Sequence, residues 1–305
     1  MSETARQRTG VGVAALVLAT VGFSTGFPIV KGVDLPASAI AFWRLGIGVA
    51  ILGLAALALR TPLPRARGPV VVAGLAFAGH QIVFIEATKL TAIAVVTFVV
   101  ALQPLVVALV SRRAVGERVP PALLGWALVA IGGIGVVLYG TAGDDSRSLL
   151  GDALALVNLG LFTGYFLAAK RARAAGAPTL TLTLGFLGVA WLALLPVALL
   201  VGDLGPPSAR DATWLLVLAL VPGNGHLLLN WAHARVSAAL ASIVLAGVPL
   251  LAALWGRLFF DEPFGWPHVI GLLAVVIAIE GGRRTERRQR EMGEPGADST
   301  LTRRG

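Results

Sequence analysis

Ten apolar runs, each long enough to cross a lipid bilayer, fill most of this chain of 305 residues. A membrane-spanning helix needs roughly 20 mostly apolar residues. Because the runs are continuously apolar and do not alternate, they predict helices and exclude the strands of a membrane barrel. The expected fold is an all-α membrane protein with ten transmembrane helices, at residues 11–30, 37–59, 69–88, 92–111, 121–140, 151–169, 179–201, 212–232, 237–256 and 266–282.

The composition agrees with a surface that faces lipid. Hydrophobic residues make up 56% of the chain and charged residues only 13%, whereas soluble domains are about one quarter charged. Membrane lipid is therefore an expected partner. The charges lie between the apolar runs, so the net charge of +9 does not indicate a nucleic-acid partner.

The positions of the basic residues predict the orientation. With the N-terminus in the cytoplasm, 19 of the 25 Lys and Arg residues fall on the cytoplasmic side and five in outer loops. Cytoplasmic loops of membrane proteins are enriched in Lys and Arg, so this distribution favours a multi-pass protein of the cytoplasmic membrane with both termini inside. We expect residues 283–305 to form a disordered, basic cytoplasmic tail.

The two halves of the chain agree when one is shifted by 145 residues. EATKLTAIAVVTFVVALQPLVVALVSRRAVGE, at 86–117, then lies over WAHARVSAALASIVLAGVPLLAALWGRLFFDE, at 231–262, without a gap. The most specific agreement is a proline followed by a glutamate thirteen residues later, at Pro104 and Glu117 and again at Pro249 and Glu262. The sequence therefore contains an internal repeat.

The repeat has consequences for topology. We predict a first repeat over 10–140 and a second over 151–282, each with five spans. Because five is odd, the second repeat inserts upside down relative to the first. Inverted repeats are typical of transporters that bind substrate near the membrane midplane, between the halves. The alternative is an old duplication in a membrane protein that does not transport.

The ends of the two repeats carry a family resemblance. ATKLTAIAVVTFVVALQPLVVALVSRRAVGERVPPALLGWALVAIGGIGVVL has a helix with a proline, a loop with Gly-Glu and a glycine-bearing last helix. It resembles the end of an EamA-type repeat of the drug/metabolite transporter superfamily. AHARVSAALASIVLAGVPLLAALWGRLFFDEPFGWPHVIGLLAVVIAI resembles it too, with Asp-Glu in place of Gly-Glu. The resemblance covers about residues 10–282.

This resemblance implies ten helices in two inverted five-helix repeats around a central cavity. It also implies a small-molecule substrate, moved across the membrane by alternating access. Efflux of amino-acid-like or amphipathic metabolites is an expectation that rests on the resemblance alone. The family motif places Glu117 and Glu262 in loops, where we interpret them as residues that start helices and close loops.

Arg44 lies about seven residues inside the second run, at a depth of about 10 Å for a rise of 1.5 Å per residue. An arginine at the centre of a span costs about 2.5 to 3.5 kcal/mol on insertion scales, so such residues face the interior of the bundle. Two interpretations stand for Arg44. It binds an anionic group of the substrate, or it is tied to backbone carbonyls between helices. We predict that the adjoining Trp43 faces the same cavity.

The third and eighth runs carry most of the other polar residues. The 145-residue shift aligns Gln81 with His226 and Ile85 with Asn230. Residues four apart share one face of a helix. Gln81, His226 and Asn230 should therefore occupy equivalent faces of two related helices and line one cavity, which is our prediction for the substrate site. The alternative is hydrogen bonding between helices.

Further substrate-binding candidates adjoin these positions or lie within neighbouring spans: Gln103, Trp231, His80, Tyr165 and Asn158. For Tyr165 the alternative is an anchor at the membrane interface. Pro104 and Pro249 are predicted hinges, because a proline inside a helix frees the backbone carbonyl about four residues earlier.

Three residues are candidates for proton coupling: Glu86, His80 and His226. For Glu86 the competing interpretations are a partner of Arg44 and a surface ion pair with Lys89, three residues later. Its rotation of about 140° from Gln81 also argues against the same cavity.

Other chemistry lacks sequence support. The chain has no cysteine, no GxxxxGK[ST] loop and no HExxH motif, and its histidines lack metal-ligand spacing. We therefore expect no cofactor, no metal and no enzymatic activity. The expected function is secondary transport; a passive channel is the alternative, and an integral-membrane enzyme is a weaker one.

Small residues that share a face in the fifth and tenth runs suit packing within the monomer or a homodimer.

Overall fold

The computed structural model describes residues 3–62, 67–91, 93–140, 148–201, 204–260 and 265–293. In these ranges the protein has 13 helices and no strand, which confirms the all-α prediction. The helices are α1 Glu3–Ser24, α2 Gly26–Gly32, α3 Ala37–Ala58, α4 Arg67–Leu90, α5 Ile93–Ala101, α6 Gln103–Val115, α7 Pro121–Gly140, α8 Leu149–Ala174, α9 Thr179–Val201, α10 Ala209–Ala232, α11 Ala238–Leu245, α12 Val248–Phe260 and α13 Trp266–Gly293.

Nine helical segments of the described chain are long and apolar enough to cross a membrane. Three of them combine two consecutive helices: α1 with α2, α5 with α6, and α11 with α12. A shorter apolar helix, Pro121–Val136 within α7, lies at the fifth predicted span, which is not among these nine. The structure is thus that of a multi-pass membrane protein, while the count of ten spans in inverted repeats stays a prediction.

Two of the helix breaks fall at equivalent places in the two halves. α5 and α6 separate at Leu102, and α11 and α12 separate at Ala246 and Gly247. Pro104 is the second residue of α6, and Pro249 is the second residue of α12. A proline has no N–H to donate and its ring clashes with the carbonyl four residues earlier, so both spans are interrupted just before their proline.

The helices pack in matching pairs. α4 packs on α8 as α1 packs on α10, and α4 packs on α9 as α3 packs on α10. α3 also packs on α9, and α7 on α13. In the repeat, α1 corresponds to α8, α3 to α9, α4 to α10 and α7 to α13. The contact of α4 with α8 therefore corresponds to that of α10 with α1, and the contact of α4 with α9 to that of α10 with α3. The pairs α3–α9 and α7–α13 each join two corresponding helices.

The contact between α7 and α13 depends on small residues. A Cβ added at Gly133 would lie only 2.4 Å from the Cβ of Ala274, so the two backbones approach too closely for any larger residue. Gly133 and Ala274 therefore serve packing within the monomer, while a homodimer stays a prediction.

The last helix is longer than the sequence indicated. α13 continues to Gly293, so the expectation of disorder does not hold for residues 283–293. Glu280 accepts hydrogen bonds from Arg283 and Arg284, one turn further along, and such pairs support an exposed helix. Residues 294–305 of the expected tail lie outside the described residues.

Candidate functional site

A cavity of about 60 Å³ lies between helices of both halves. Its polar lining consists of five residues that the sequence singled out: Arg44 on α3, His80 and Gln81 on α4, Asn158 on α8 and His226 on α10. All five side chains are buried. The structure thus brings Gln81 and His226 together, as their alignment in the repeat led us to expect.

Aromatic rings form much of the remaining wall, at Phe23, Phe27, Phe84 and Phe162. The Phe23 ring lies 4.6 Å from the His226 ring, centroid to centroid. The sequence analysis did not select these residues. Their spacing held a signal, because Phe84 follows His80 by four residues and Phe162 follows Asn158 by four, which places each ring one turn from a polar site residue.

Two hydrogen bonds hold polar groups of the cavity wall, and the one between His80 and Asn158 joins the two halves of the protein. His80 Nδ1 lies 2.6 Å from Asn158 Oδ1. Since a carboxamide oxygen accepts, the Nδ1–H of His80 donates, which leaves Nε2 as an acceptor. The Tyr165 hydroxyl lies 3.1 Å from His226 Nδ1. Tyr165 is fully buried, so its alternative role as a membrane-interface anchor is wrong.

Arg44 lines the cavity with only 5% of its surface exposed. Within the described part of the chain, no carboxylate forms an ion pair with Arg44 and no backbone carbonyl accepts a hydrogen bond from it. The interpretation of Arg44 as a residue tied to backbone carbonyls therefore finds no support. A buried cation that faces a cavity is free to bind an anionic group.

Two other buried polar atoms of this wall lack a partner among the described residues. They are Oε1 of Gln81 and Nδ2 of Asn158. A buried donor or acceptor without a hydrogen bond costs about 1–3 kcal/mol. These atoms are therefore available to a ligand, one as an acceptor and the other as a donor.

Besides Tyr165, four predicted site residues are absent from the cavity lining. Asn230 is buried and donates to Thr183 Oγ1 at 3.0 Å. Trp231 lies under Arg235, whose guanidinium carbon is 3.3 Å from the ring centroid. Trp43 and Gln103 each place a side-chain nitrogen in the interior without a partner in the described structure.

The predicted ion pair of Glu86 with Lys89 is wrong. Lys89 Nζ instead donates to the backbone carbonyls of Val33 at 3.1 Å and Leu35 at 2.5 Å. These carbonyls follow the end of α2, where no further helical turn satisfies them. Glu86 is half-buried and is absent from the cavity lining, so it neither partners Arg44 nor contributes to this site.

A second polar cluster joins the halves at one end of the bundle, which we name the Lys170 end. Lys170 Nζ lies 3.0 Å from Glu117 Oε1 and donates to the carbonyls of His233 at 2.7 Å and Val236 at 2.5 Å. Glu117 Oε2 also accepts from the backbone N–H of Ala238 at 2.8 Å, at the start of α11. Glu117 thus stabilises a helix start, as its motif position indicated; Glu262 lies outside the described residues.

The opposite end of the bundle, which we name the Asp152 end, has a different cross-half contact. Thr91 donates to Asp152 Oδ1 at 2.7 Å. The Thr91 hydroxyl lies 3.5 Å from the backbone nitrogen of Ser148, from which it accepts. Asp152 and Lys170 are both on α8, about 27 Å apart along the helix.

Comparison with known proteins agrees with this architecture. Residues 149–280 match the EamA-like transporter family. A protein of Streptantibioticus cattleyicolor, named as a probable terminal-alkyne amino-acid exporter, is 36% identical over 112 residues, which are 33% of this chain and 36% of that protein. The chain therefore matches only about a third of the length of this relative. One solved crystal structure has a TM-score of 0.74 at 22% sequence identity, and the alignment covers 92% of this chain and 99% of the other.

Proposed function

We propose that this chain, whose residues 149–280 match the EamA-like transporter family, is an EamA-type transporter that exports small, amino-acid-like amphipathic metabolites by alternating access. The family match and the exporter name of the S. cattleyicolor relative support efflux. The proposal places substrate in the cavity between the two halves.

The observation that carries the proposal is the cavity itself. It lies between helices of both halves and combines polar groups that lack partners with aromatic rings. Its volume of about 60 Å³ is far below the 300–1,000 Å³ typical of small-molecule sites. A metabolite can therefore enter only if the halves separate, which is the motion that alternating access requires.

The broken spans offer a place for that motion. Both α5–α6 and α11–α12 are interrupted at equivalent positions, next to Pro104 and Pro249. Bending at these prolines would move the half-helices that contribute Val100, Leu245 and Val248 to the cavity wall. We propose Pro104 and Pro249 as the hinges and an inverted relation between the halves, which the matching helix pairs support.

The orientation follows from the basic residues. We propose that the Lys170 end faces the cytoplasm of a cell membrane and that both termini lie on that side, since Lys and Arg are enriched in cytoplasmic loops. Substrate would then enter when the Lys170 end opens and leave when the Asp152 end opens.

Counterflow in proteoliposomes tests the transport proposal. Vesicles loaded with one unlabelled amino acid should accumulate its labelled form transiently, with saturation, for at least one member of a panel of apolar and aromatic amino acids. A passive channel gives no transient accumulation. Product formation by the purified protein would favour an enzyme instead.

Two further measurements test the site and its coupling to protons. Gln81→Ala and His226→Ala should each weaken substrate binding at least tenfold, because both side chains line the cavity. Unchanged affinity in both variants would show that this cavity is not the substrate site.

A pH gradient should drive accumulation if His80, His226 or Glu86 carries a proton. Equal uptake with and without the gradient would argue against coupling.

A further inference from the structure

We propose that Arg44 is a carboxylate subsite and that the transported class is a small monocarboxylate with an apolar side chain. This proposal rests on the proposed function, because it names the chemistry of the substrate at that same cavity. It excludes cationic drugs and uncharged sugars as the preferred cargo.

The charge of the cavity wall is the first argument. Arg44 is the cationic member of the lining, whose other members are aromatic, aliphatic, carboxamide and imidazole side chains. Among the described residues, no aspartate or glutamate contributes to the lining and no carboxylate pairs with Arg44. A guanidinium remains charged in proteins, so the cavity is electropositive until an anion enters it.

The geometry of a guanidinium favours a carboxylate in particular. Its planar donors match the two carboxylate oxygens and bind them together through two parallel hydrogen bonds. Arg44 is the only arginine among the described residues of this wall, so one negative charge on the ligand balances it. A dicarboxylate or a phosphate dianion would bring an additional negative charge to a site with no second cation.

The remaining walls define the rest of the ligand. Phe23, Phe27, Phe84 and Phe162 offer apolar surface to a hydrocarbon side chain. Oε1 of Gln81 is a buried acceptor without a partner, and it can accept a hydrogen bond from an amino group. No described carboxylate lies beside Gln81 to bind a charged amino group strongly. We therefore expect the amino group of a ligand to strengthen binding without being required, whereas its carboxylate is required.

Matched ligands test this assignment without any mutation. Binding to the purified protein in nanodiscs is measured by calorimetry for L-leucine, 4-methylpentanoate and L-leucinamide, and for the corresponding phenylalanine series. The acid without an amine should bind within about tenfold of the amino acid, and the amide should bind at least tenfold more weakly. An amide that binds as tightly as the amino acid would overturn the proposal.

Variants of Arg44 extend the test. Arg44→Gln should remove the preference for acid over amide, and Arg44→Lys should keep part of it, since lysine preserves the charge but lacks the two-pronged geometry. The matched control is Arg112→Gln, at an exposed arginine of α6, which should leave the preference unchanged. Helical content and size-exclusion profiles identify a variant that fails to fold, and Arg44→Lys then carries the comparison.

The failure of this inference is distinguishable from failure of the proposed function. Counterflow that is equally strong for acids and amides would retain the transporter and reject the carboxylate subsite. Selective binding of acids without counterflow would retain the subsite and reject the transport mechanism.

Discussion

The two ends of the bundle join the halves by different chemistry. At the Lys170 end, one ammonium group donates to Glu117 and to two backbone carbonyls, and its side chain is only 9% exposed. At the Asp152 end, the contact runs from the hydroxyl of Thr91 to the carboxylate of Asp152. The three protons of Lys170 match three acceptors, so the cluster at its end is both charged and fully satisfied.

The described contacts differ in what it costs to break them. Breaking a buried ion pair leaves a desolvated charge without a partner and costs about 3–5 kcal/mol, whereas losing a hydrogen bond to a charged group costs about 1.5–3 kcal/mol. We therefore expect removal of the Lys170 contacts to destabilise the protein more than removal of the bond between Thr91 and Asp152.

The largest expected effect comes from Lys170→Met. It leaves Glu117 and two carbonyls without their donor, and we expect a loss of about 3 kcal/mol in the free energy of unfolding, because Glu117 remains 28% exposed and solvent compensates part of its charge. The cavity should also become accessible from the Lys170 end. Since the chain has no cysteine, a Leu245→Cys reporter in the cavity wall measures this by thiol labelling from each side.

Lys89→Met is the matched control for that variant. Lys89 also donates to two carbonyls, those of Val33 and Leu35, but both belong to its own half of the chain. It should lower stability without changing thiol access from the Lys170 end. Equal labelling of the reporter in both variants would show that Lys170 does not hold this end closed.

Glu117→Gln should have the next largest effect. The substitution removes the charge while keeping one oxygen acceptor for either Lys170 or Ala238, so we expect a loss of about 1–2 kcal/mol, measured by chemical unfolding in detergent. Glu280→Gln is the control, since Glu280 pairs with Arg283 and Arg284 at a more exposed position and exposed pairs contribute about 0–1 kcal/mol. A larger loss for Glu280→Gln would contradict this ranking.

Asp152→Asn should increase access to the cavity from the Asp152 end, opposite to the end that Lys170→Met opens. It weakens the bond from Thr91, so we expect a loss of about 1 kcal/mol and more labelling of the cavity reporter from the Asp152 end. Asp211→Asn is the control, because Asp211 bonds with Ser208 at the start of its own helix. Increased labelling from the Lys170 end in Asp152→Asn would reverse our assignment of the ends.

The smallest expected effect is that of Ser237→Ala. Ser237 caps α11 by accepting from the N–H of Leu240, and its hydroxyl donates to Glu286. Loss of a serine cap costs about 1 kcal/mol, and the neighbouring bond from Ala238 to Glu117 keeps this end closed. A thermal shift without a change in thiol access is the expected result, and a change in access would assign a gating role to the cap.

The strongest sequence signals predicted the helices and the polar residues of the cavity lining. Run length located the helices, and the two prolines located the breaks, because both follow from rigid local rules. Gln81, His226 and Arg44 stood out because polar groups are rare in apolar spans. Phe23 and Phe162 did not, since a phenylalanine in an apolar run looks like any other lipid-facing or core residue.

The contacts at the ends of the bundle were beyond sequence reasoning. In the sequence, Lys170 and Glu117 lie in two separate segments between the apolar runs, where charges usually serve orientation. Only the packing of α8 against α6 brings them together. Lys89 donates to the backbone carbonyls of Val33 and Leu35, and not to the nearby Glu86, because these carbonyls follow the end of α2 and have no helical donor.

The capping of α11 has a consequence for how the protein is made. Its first amides bind Glu117, synthesised 121 residues before Ala238, and Glu286, synthesised 49 residues after Ser237. When α11 leaves the ribosome, α13 does not yet exist, so this half-helix enters the membrane with part of its start unsatisfied. The ninth predicted span therefore reaches its final form only after the tenth has been inserted, which makes completion of the contacts at the Lys170 end a late step of biogenesis.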